Sequence, residues 1–237
     1  MIQDSFFAGI EPEKQDVADV MAQVTVNCDD CRLAALHPAN KGLCYRGNVN
    51  AKIAVLYEAP HDAETERGVV LIGHTGKEFE RWMRILNLNS REELFMTAVI
   101  QCQPPKVKKN GVMLQREPDS AEIRACFGPR ALRVLRAMPN LETVITLSWS
   151  AAKALLGPNV KAKTHDAQWF ESSLLPGIPI FCLPDPNWVI QKFTPERDGT
   201  IKRDLDYFRR EFLMEHKTTA LALEAKADRE SKGLGLL

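Results

Sequence analysis

The chain has 237 residues, of which 45% are hydrophobic, 26% are charged and 7% are aromatic. This length and composition fit one medium-sized globular domain and exclude a disordered or fibrous protein. The 31 basic and 31 acidic residues cancel, so the overall charge does not indicate a nucleic-acid partner, and any contact with DNA must come from a local basic patch.

The N-terminal segment and the hydropathy pattern predict a cytoplasmic protein. Residues 1–4 lack the basic and apolar stretches of a secretion signal, and no apolar run is long enough to span a membrane. We therefore expect no membrane partner and a reducing compartment, the cytoplasm of a bacterial cell or of a phage-infected cell. In such a compartment cysteines bind metals more readily than they form disulfides.

The predicted elements alternate between helices and strands. Apolar residues at helical spacing predict a helical lead-in over residues 1–25. Short apolar runs predict buried strands at 52–57, 95–100, 143–147 and 178–183. Amphipathic patterns predict helices at 76–88, 119–137, 150–156 and 201–212.

This order of elements predicts an α/β fold, a three-layer α/β/α arrangement with a short, mainly four-stranded parallel sheet. We assign the domain to residues 26–215, which leaves a C-terminal tail at 216–237 with little core signal. Ligands of such sheets bind beyond the carboxyl ends of the strands. The segments that follow the strands are therefore the places where chemistry is expected.

Four of the six cysteines have the spacing of a metal site. Cys28 and Cys31 form a C-x-x-C pair, and Cys102 and Cys126 follow singly further along the chain. The pair lets two thiolates reach one metal from a single turn, and the other two would complete a four-thiolate shell. On residue types alone, an iron–sulfur cluster, a tetrahedral zinc site and buried unligated thiols all remain open.

The segments after the predicted strands resemble the uracil-DNA glycosylase superfamily, most closely its iron–sulfur-containing family 4. Residues 58–60 (Glu-Ala-Pro) resemble the core of the family's Gly-Glu-Ala-Pro-Gly motif, and residues 68–76 are similar to its next Gly-rich segment. Cys102 begins a match to the family's Cys-x-Pro-Pro element, and residues 122–126 match its Glu-Ile-x-x-Cys helix. Residues 184–187 (Pro-Asp-Pro-Asn) fall where the family has His-Pro-Ser.

The resemblance implies a cofactor, a partner and a set of site residues. It implies DNA as the partner, with a replication or repair protein as a further possibility, and hydrolysis of the N-glycosidic bond to a flipped base. Glu58 and Asp185 would be the catalytic residues. The base pocket would be formed by Ala59, Pro60, His61, Leu71, Ala98 and Asn187. A [4Fe–4S] cluster, with Zn as the alternative, would be held by Cys28, Cys31, Cys102 and Cys126.

Three departures from the family pattern argue against ordinary uracil as the substrate. Ala98 stands where the family has an Asn that reads the base, and alanine cannot make those hydrogen bonds. Leu71 replaces the Phe on which a flipped base would stack. Asp185 replaces a His, and an ionised carboxylate opposes the negative charge on a departing uracil. We expect a modified or non-uracil base, or alternatively a catalytically silent DNA-binding or partner-binding module.

Two features indicate where DNA would bind. The basic, loop-like segment 104–117 supplies candidate phosphate contacts that add salt-dependent affinity, although a solvated loop is the plain alternative. Trp188 follows the Pro-Asp-Pro-Asn segment, where the family resemblance implies a segment that inserts beside a flipped base, and packing against the protein is the alternative. The phosphate-contact candidates are Lys106, Lys108, Lys109 and Arg116.

Overall fold

The computed structural model describes residues 17–24, 31–36, 44–109, 111–160 and 167–214, without the side chains of Ala35 and Lys109. Cys28, most of the predicted lead-in and the predicted tail at 216–237 lie outside the described residues. Within the described part, no helix is long and apolar enough to cross a membrane.

Eight strands are described, and six of them form one central sheet. Their bounds are β1 Tyr45–Gly47, β2 Ile53–Tyr57, β3 Leu94–Ala98, β4 Lys106–Lys109, β5 Val112–Gln115, β6 Thr143–Leu147, β7 Trp169–Ser172 and β8 Leu175–Leu183. The order across the central sheet is β1–β3–β2–β6–β8–β7. The strands β3, β2, β6 and β8 are parallel, whereas β1 and β7 are antiparallel to their neighbours.

The four predicted strands are confirmed as the parallel centre of this sheet. The sequence analysis did not predict the two antiparallel edges. The edge strand β1 has three residues and β7 has four, with a register irregularity between Phe170 and Ser172. Neither edge has a continuous apolar run, so neither carries the signal of a buried strand.

Helices cover both faces of the sheet. Their bounds are α1 Val17–Gln23, α2 Arg32–Leu36, α3 Asp62–Arg67, α4 Gly73–Leu86, α5 Ser120–Cys126, α6 Arg133–Ala137, α7 Trp149–Leu156, α8 Pro186–Gln191 and α9 Pro195–Phe208, with π-helical segments at Gly128–Leu132 and Arg209–Met214. The predicted start of α5 is confirmed. The Asp119 carboxylate accepts the backbone N–H groups of Ala121 and Glu122 at 2.9 Å, and Glu122 completes a capping box.

The side chains of each central strand alternate between the two faces of the sheet. In β2, Ala54 and Leu56 pack into an apolar cluster that α1, α2, α5, α6 and α7 cover, here called the α5–α7 cluster. Ile53, Val55 and Tyr57 pack into a second cluster that α4, α8 and α9 cover, here called the α4–α9 cluster. The predicted three-layer arrangement follows from these two buried faces.

The segment 104–117, predicted to be a loop, is a β-hairpin. Its strands β4 and β5 pair antiparallel, from Lys106 opposite Gln115 to Lys109 opposite Val112. The connecting residue Gly111 has a φ of 82°, a left-handed conformation that glycine adopts without strain. The prediction was wrong because the basic composition outweighed a local signal, the Asn-Gly pair at 110–111, which favours a tight hairpin turn.

Candidate active site

The carboxyl ends of the parallel strands bring the two predicted catalytic residues together. Glu58 directly follows β2, and Asp185 lies two residues after the end of β8. Both are half-buried. The negative charge of Asp185 raises the pKa of Glu58, so the two carboxylates share one electrostatic environment although 126 residues separate them in the sequence.

The pKa of the Glu58 carboxyl lies well above its ordinary value. Burial raises its pKa to about 7, and the charges of Asp185 and Glu117 act in the same direction. A hydrogen bond from the Ser150 hydroxyl and the charge of Lys153 act in the opposite direction. A carboxyl group with a pKa near 7 can both accept and release a proton in neutral solution.

The Asp185 carboxylate also begins a helix. It caps α8 by accepting the backbone N–H of Asn187 at 2.6 Å. Burial raises the pKa of Asp185, while the backbone N–H groups of Asn187 and Trp188 and the charge of His61 lower it. Asp185 therefore has a structural role as a cap, and it interacts electrostatically with Glu58 and His61.

Tyr57 contributes a buried hydroxyl that the sequence analysis did not foresee. Its side chain is 1% exposed, and its hydroxyl has no hydrogen-bond partner among the described residues. Burial raises the pKa of Tyr57 well above its ordinary value, and the charges of Glu64, Asp185 and Glu58 add to that effect. A buried hydroxyl without a partner is unfavourable, and a bound ligand could supply the missing hydrogen bond.

A second missed residue, Glu64, fixes the loops around the site. It is 1% exposed, and its carboxylate accepts the backbone N–H groups of His61 at 2.8 Å and Ile72 at 3.0 Å. Burial raises the pKa of Glu64, whereas hydrogen bonds from the backbone of His61, Ile72 and Leu71 lower it. The position of Glu64 in the sequence does not indicate this role, because its hydrogen-bond partners come from two different loops.

Two residues near the site have strained backbones. Leu71 has a φ of 54°, and Ser148, the cap of α7 directly after β6, has a φ of 147°. Leu71 is held by the close approach of Gly76, where an added Cβ would meet the Leu71 carbonyl oxygen at 2.0 Å. Strain of this kind concentrates at sites where the surrounding structure imposes a required geometry.

The predicted base-pocket residues divide between the two faces of the sheet. Leu71 and Ala98 are fully buried in the α4–α9 cluster together with Tyr57. Ala59 packs into the α5–α7 cluster on the other face. The other three predicted pocket residues remain close in sequence to the carboxylates, since Pro60 and His61 come two and three residues after Glu58 and Asn187 lies in the first turn of α8.

A chain of polar contacts joins His61 to the hairpin. His61 Nδ1 lies 2.9 Å from Gln115 Oε1, and the Gln115 side-chain amide donates to the Pro60 carbonyl at 3.2 Å. Asp62 accepts hydrogen bonds from Gln103 at 2.6 Å and from Lys106 at 2.5 Å. The hairpin is therefore docked on the loop that follows β2.

Two of the predicted phosphate contacts already have acidic partners. Lys106 forms its ion pair with Asp62, and the Arg116 guanidinium pairs with the buried carboxylate of Glu122. Lys108 is exposed and has no ion pair with a described residue. Lys109 lies in β4, and its side chain is not described.

Exposed apolar side chains lie on the hairpin and on α8. On the hairpin they are Val107, Val112, Met113 and Leu114. On and after α8, Trp188 is 46% exposed and Phe193 is 62% exposed. The Arg197 guanidinium lies 4.6 Å from the centre of the Trp188 ring, a distance typical of a cation–π contact.

Three of the four predicted cluster ligands can be placed. Cys102 and Cys126 are buried in the α5–α7 cluster, and Cys31 packs against its edge. The described residues contain no group of three or more His, Cys, Asp or Glu side chains arranged to hold a metal ion. The fourth predicted ligand, Cys28, is outside the described residues, so the complete ligand set is not among them.

The surroundings of Cys126 fit a metal-bound thiolate. The backbone N–H of Gln101 donates to Cys126 Sγ at 3.3 Å, and the Arg130 guanidinium lies 3.9 Å from the same sulfur. Hydrogen-bond donors and positive charge both stabilise the deprotonated form of a thiol. Only that form is a good metal ligand.

Comparisons with known proteins agree with the architecture. The family model described as "Uracil DNA glycosylase superfamily" matches residues 44–209. A protein of Saccharolobus solfataricus named "Type-4 uracil-DNA glycosylase" is 30% identical over 132 residues, 56% of this chain and 56% of the relative. Proteins with the same name are 24% identical over 152 residues in Sulfurisphaera tokodaii, 63% of this chain and 64% of the relative, and 30% identical over 113 residues in Archaeoglobus fulgidus, 47% and 52%.

The chain matches only part of the length of each of these relatives. The matched stretches span between 52% and 64% of the relatives' own length. All three relatives are archaeal, and they give no support to the bacterial or phage origin expected from the sequence.

Proposed function

Because the chain belongs to the uracil-DNA glycosylase superfamily, we propose that it hydrolyses the N-glycosidic bond of a flipped base in DNA, and that this base is modified or is not uracil. The pairing of Glu58 with Asp185 at the carboxyl ends of β2 and β8 carries the proposal. Burial and the neighbouring charge raise the pKa of Glu58 to about 7, which suits it to proton transfer in neutral solution.

The carboxylates would act on the sugar and on the water. As the bond from C1′ to the base nitrogen breaks, its electron pair leaves with the base and positive charge develops on the sugar. The charges of Glu58 and Asp185 would stabilise that positive charge. A water molecule then bonds to C1′ through its oxygen, and its proton passes to the Glu58 carboxylate and onward to the departed base.

The surrounding residues support a base other than uracil. Ala98 offers no hydrogen bond and Leu71 no aromatic face, so the usual means of selecting uracil are missing. The hydroxyl of Tyr57 and the carboxylate of Asp185 are polar groups that the family pattern does not have at these positions. A base with hydrogen-bond donors or a positive substituent would suit them.

We also propose that DNA binds across the hairpin and α8. Exposed Lys108 would contact a phosphate, while exposed Trp188 and Phe193 would contact unstacked bases. Lys106 and Arg116 would hold the hairpin in place through their acidic partners rather than contact phosphates directly.

The cofactor in this proposal is a [4Fe–4S] cluster held by Cys28, Cys31, Cys102 and Cys126, with zinc as the alternative. The donors around Cys126 support thiolate ligation. A bound cluster would tie the N-terminal segment to the ends of the hairpin, because Cys102 precedes β4 and Cys126 follows β5.

One observation favours a second candidate, a catalytically silent module that binds DNA or a replication or repair protein. Leu71 and Ala98 are fully buried, so a base could reach them only after the surrounding loops move. The module would bind DNA in a salt-dependent manner and release no base.

The first test is mass-spectrometric detection of free bases from DNA containing uracil, hypoxanthine, xanthine or modified phage pyrimidines. Glu58→Gln should lower the rate of base release by about 100-fold or more, the size expected for a lost acid–base group. Asp185→Asn should also lower it, although asparagine still caps α8. Asp206→Asn, which removes a carboxylate in α9, is the control.

Release of one non-uracil base that both variants slow would support the proposal. Unchanged rates in both variants would disprove the assignment of Glu58 and Asp185. Wild-type protein that binds every DNA and releases nothing would favour the silent module instead.

A further inference from the structure

The polar chain between the hairpin and His61 has only one consistent set of donors and acceptors. It begins at Asp62, whose carboxylate can only accept, and whose pKa is lowered by the hydrogen bonds from Lys106 and Gln103. The Gln103 side-chain nitrogen must therefore be the donor, 2.6 Å from Asp62 Oδ1 and 3.2 Å from Gln115 Oε1. Gln115 thus presents its oxygen to Gln103.

The other end of the Gln115 amide gives the same orientation. Gln115 Nε2 lies 3.2 Å from the Pro60 carbonyl oxygen, which can only accept. A reversed amide would place two donors together at Gln103 and two acceptors together at Pro60. The Gln115 oxygen is therefore the atom that faces His61 Nδ1 at 2.9 Å, and Nδ1 must carry the hydrogen.

We propose that Gln115 is a positioning residue that fixes a hydrogen of His61 on Nδ1, so that the Nε2 lone pair of the Nδ1–H tautomer is the one available to accept a hydrogen bond from an amino group on the flipped base. The inference rests on the proposed function and names the substrate class of the same site, a base that bears an exocyclic amino or ammonium group. In this tautomer the neutral imidazole is an acceptor toward the ligand rather than a donor.

The charges around His61 agree with a donor-bearing ligand. His61 interacts electrostatically with Asp185, the cap of α8, and with Asp62 and Glu64 of α3, and its ring centre is 6.0 Å from that of Tyr57. Together with Glu58, these groups make the site rich in acceptors. A base edge with several N–H groups complements such a site.

The register of the hairpin places Gln115 where it can contact His61. Gln115 ends β5 and is paired in register with Lys106, which begins β4. Lys106 anchors Asp62 and Gln115 anchors Pro60 and His61. The paired base of the hairpin therefore holds three successive residues at the start of α3, from Pro60 to Asp62, and it sets the tautomer of the middle one.

The tautomer can be measured directly by ¹⁵N NMR of protein labelled at both imidazole nitrogens, with the His61 signal assigned by its loss in His61→Gln. Wild-type protein should show a protonated Nδ1 and an unprotonated Nε2 at a pH where His61 is neutral. Gln115→Leu removes the acceptor and should shift the population toward the Nε2–H tautomer, which predominates for free imidazole side chains in water.

Leu114→Ala is the matched control, because Leu114 precedes Gln115 in β5 and is exposed. It should leave the tautomer unchanged. An Nε2–H tautomer in the wild-type protein, or the same tautomer in wild type and Gln115→Leu, would overturn the role of Gln115. This readout needs no substrate and remains valid if no base is ever released.

The substrate class is tested separately by kcat/KM on paired bases that differ only in an amino substituent. Gln115→Leu should lower kcat/KM about tenfold for the amino-bearing base, the effect of losing one hydrogen bond, and should change the value for its partner much less. Equal losses on both bases would overturn the substrate class, whereas release of no base by wild-type protein would reject the proposed function and leave the tautomer result standing.

Discussion

Glu58 makes the stability of this protein depend on pH in a direction opposite to that of an ordinary ion-paired carboxylate. Its ordinary pKa is 4.5, and burial raises it to about 7 in the folded protein. Between these pH values the folded protein retains a proton that the unfolded chain releases. The stabilising contribution is therefore complete below pH 4.5 and is lost as the pH rises toward 7.

Glu58→Gln should remove this pH dependence. Relative to wild type, the variant should gain about 2 kcal/mol in free energy of unfolding between pH 4.5 and pH 8, an order-of-magnitude value that allows for partial solvent contact. Urea unfolding at both pH values measures the difference, with exposed Glu171→Gln as a control for the lost charge. A constant difference between wild type and Glu58→Gln at the two pH values would show that Glu58 titrates normally.

At the scale of single residues, the sequence could predict those side chains whose position follows from the end of a strand. The family resemblance singled out Glu58 and Asp185, and the parallel strands that precede them bring them to one edge of the sheet. Tyr57, Glu64 and Gln115 could not be recognised, since their roles depend on contacts with loops distant in sequence.

At the scale of elements, the hairpin is the part that the sequence analysis mispredicted, because its basic composition is typical of a loop. Alternating lysines suggested a solvated loop, yet β4 and β5 pair over four positions and the end of β5 supplies the contact to His61. The basic side chains of the hairpin also differ in whether they already have acidic partners. Lys106 and Arg116 are engaged with Asp62 and Glu122, whereas Lys108 is exposed.

Lys108→Ala should weaken DNA binding and make it less sensitive to salt. Loss of one phosphate contact reduces the slope of log affinity against log salt concentration by about 1. Fluorescence anisotropy with the same DNA at several salt concentrations measures that slope. Lys52→Ala is the matched control, because Lys52 precedes β2 at the opposite end of the strand from Glu58 and pairs with Glu142. An unchanged slope for Lys108→Ala would remove this lysine from the DNA-binding surface.

At the scale of the whole molecule, the centre of the fold was predictable and its edges were not. The runs that became β2, β3 and β6 are buried at every position, and a continuous apolar run is the signal of a strand covered on both faces. The edge strands β1 and β7 are partly exposed and short. These edge strands form by pairing with the central strands, so no local sequence pattern predicts them.

The proposed cluster would link distant parts of this fold, and its loss should therefore destabilise the whole molecule. Cys102 and Cys126 flank the hairpin and lie in the same apolar cluster as Val20 of α1 and Val24, which follows that helix. Cys126→Ser should abolish bound iron and acid-labile sulfide and lower the free energy of unfolding by at least about 2 kcal/mol. Anaerobic purification, visible absorbance and metal analysis measure the first effect, and urea unfolding measures the second.

Cys44→Ala provides the matched control for the cluster. Cys44 is buried in the α4–α9 cluster, on the other face of the sheet, and burial followed by the charge of Glu64 raises the pKa of its thiol to about 11. A thiol with that pKa stays protonated in neutral solution and is a poor metal ligand. Iron should therefore persist in Cys44→Ala and disappear in Cys126→Ser. Equal iron in the two variants would exclude Cys126 as a ligand, and stoichiometric zinc in place of iron would establish the tetrahedral alternative.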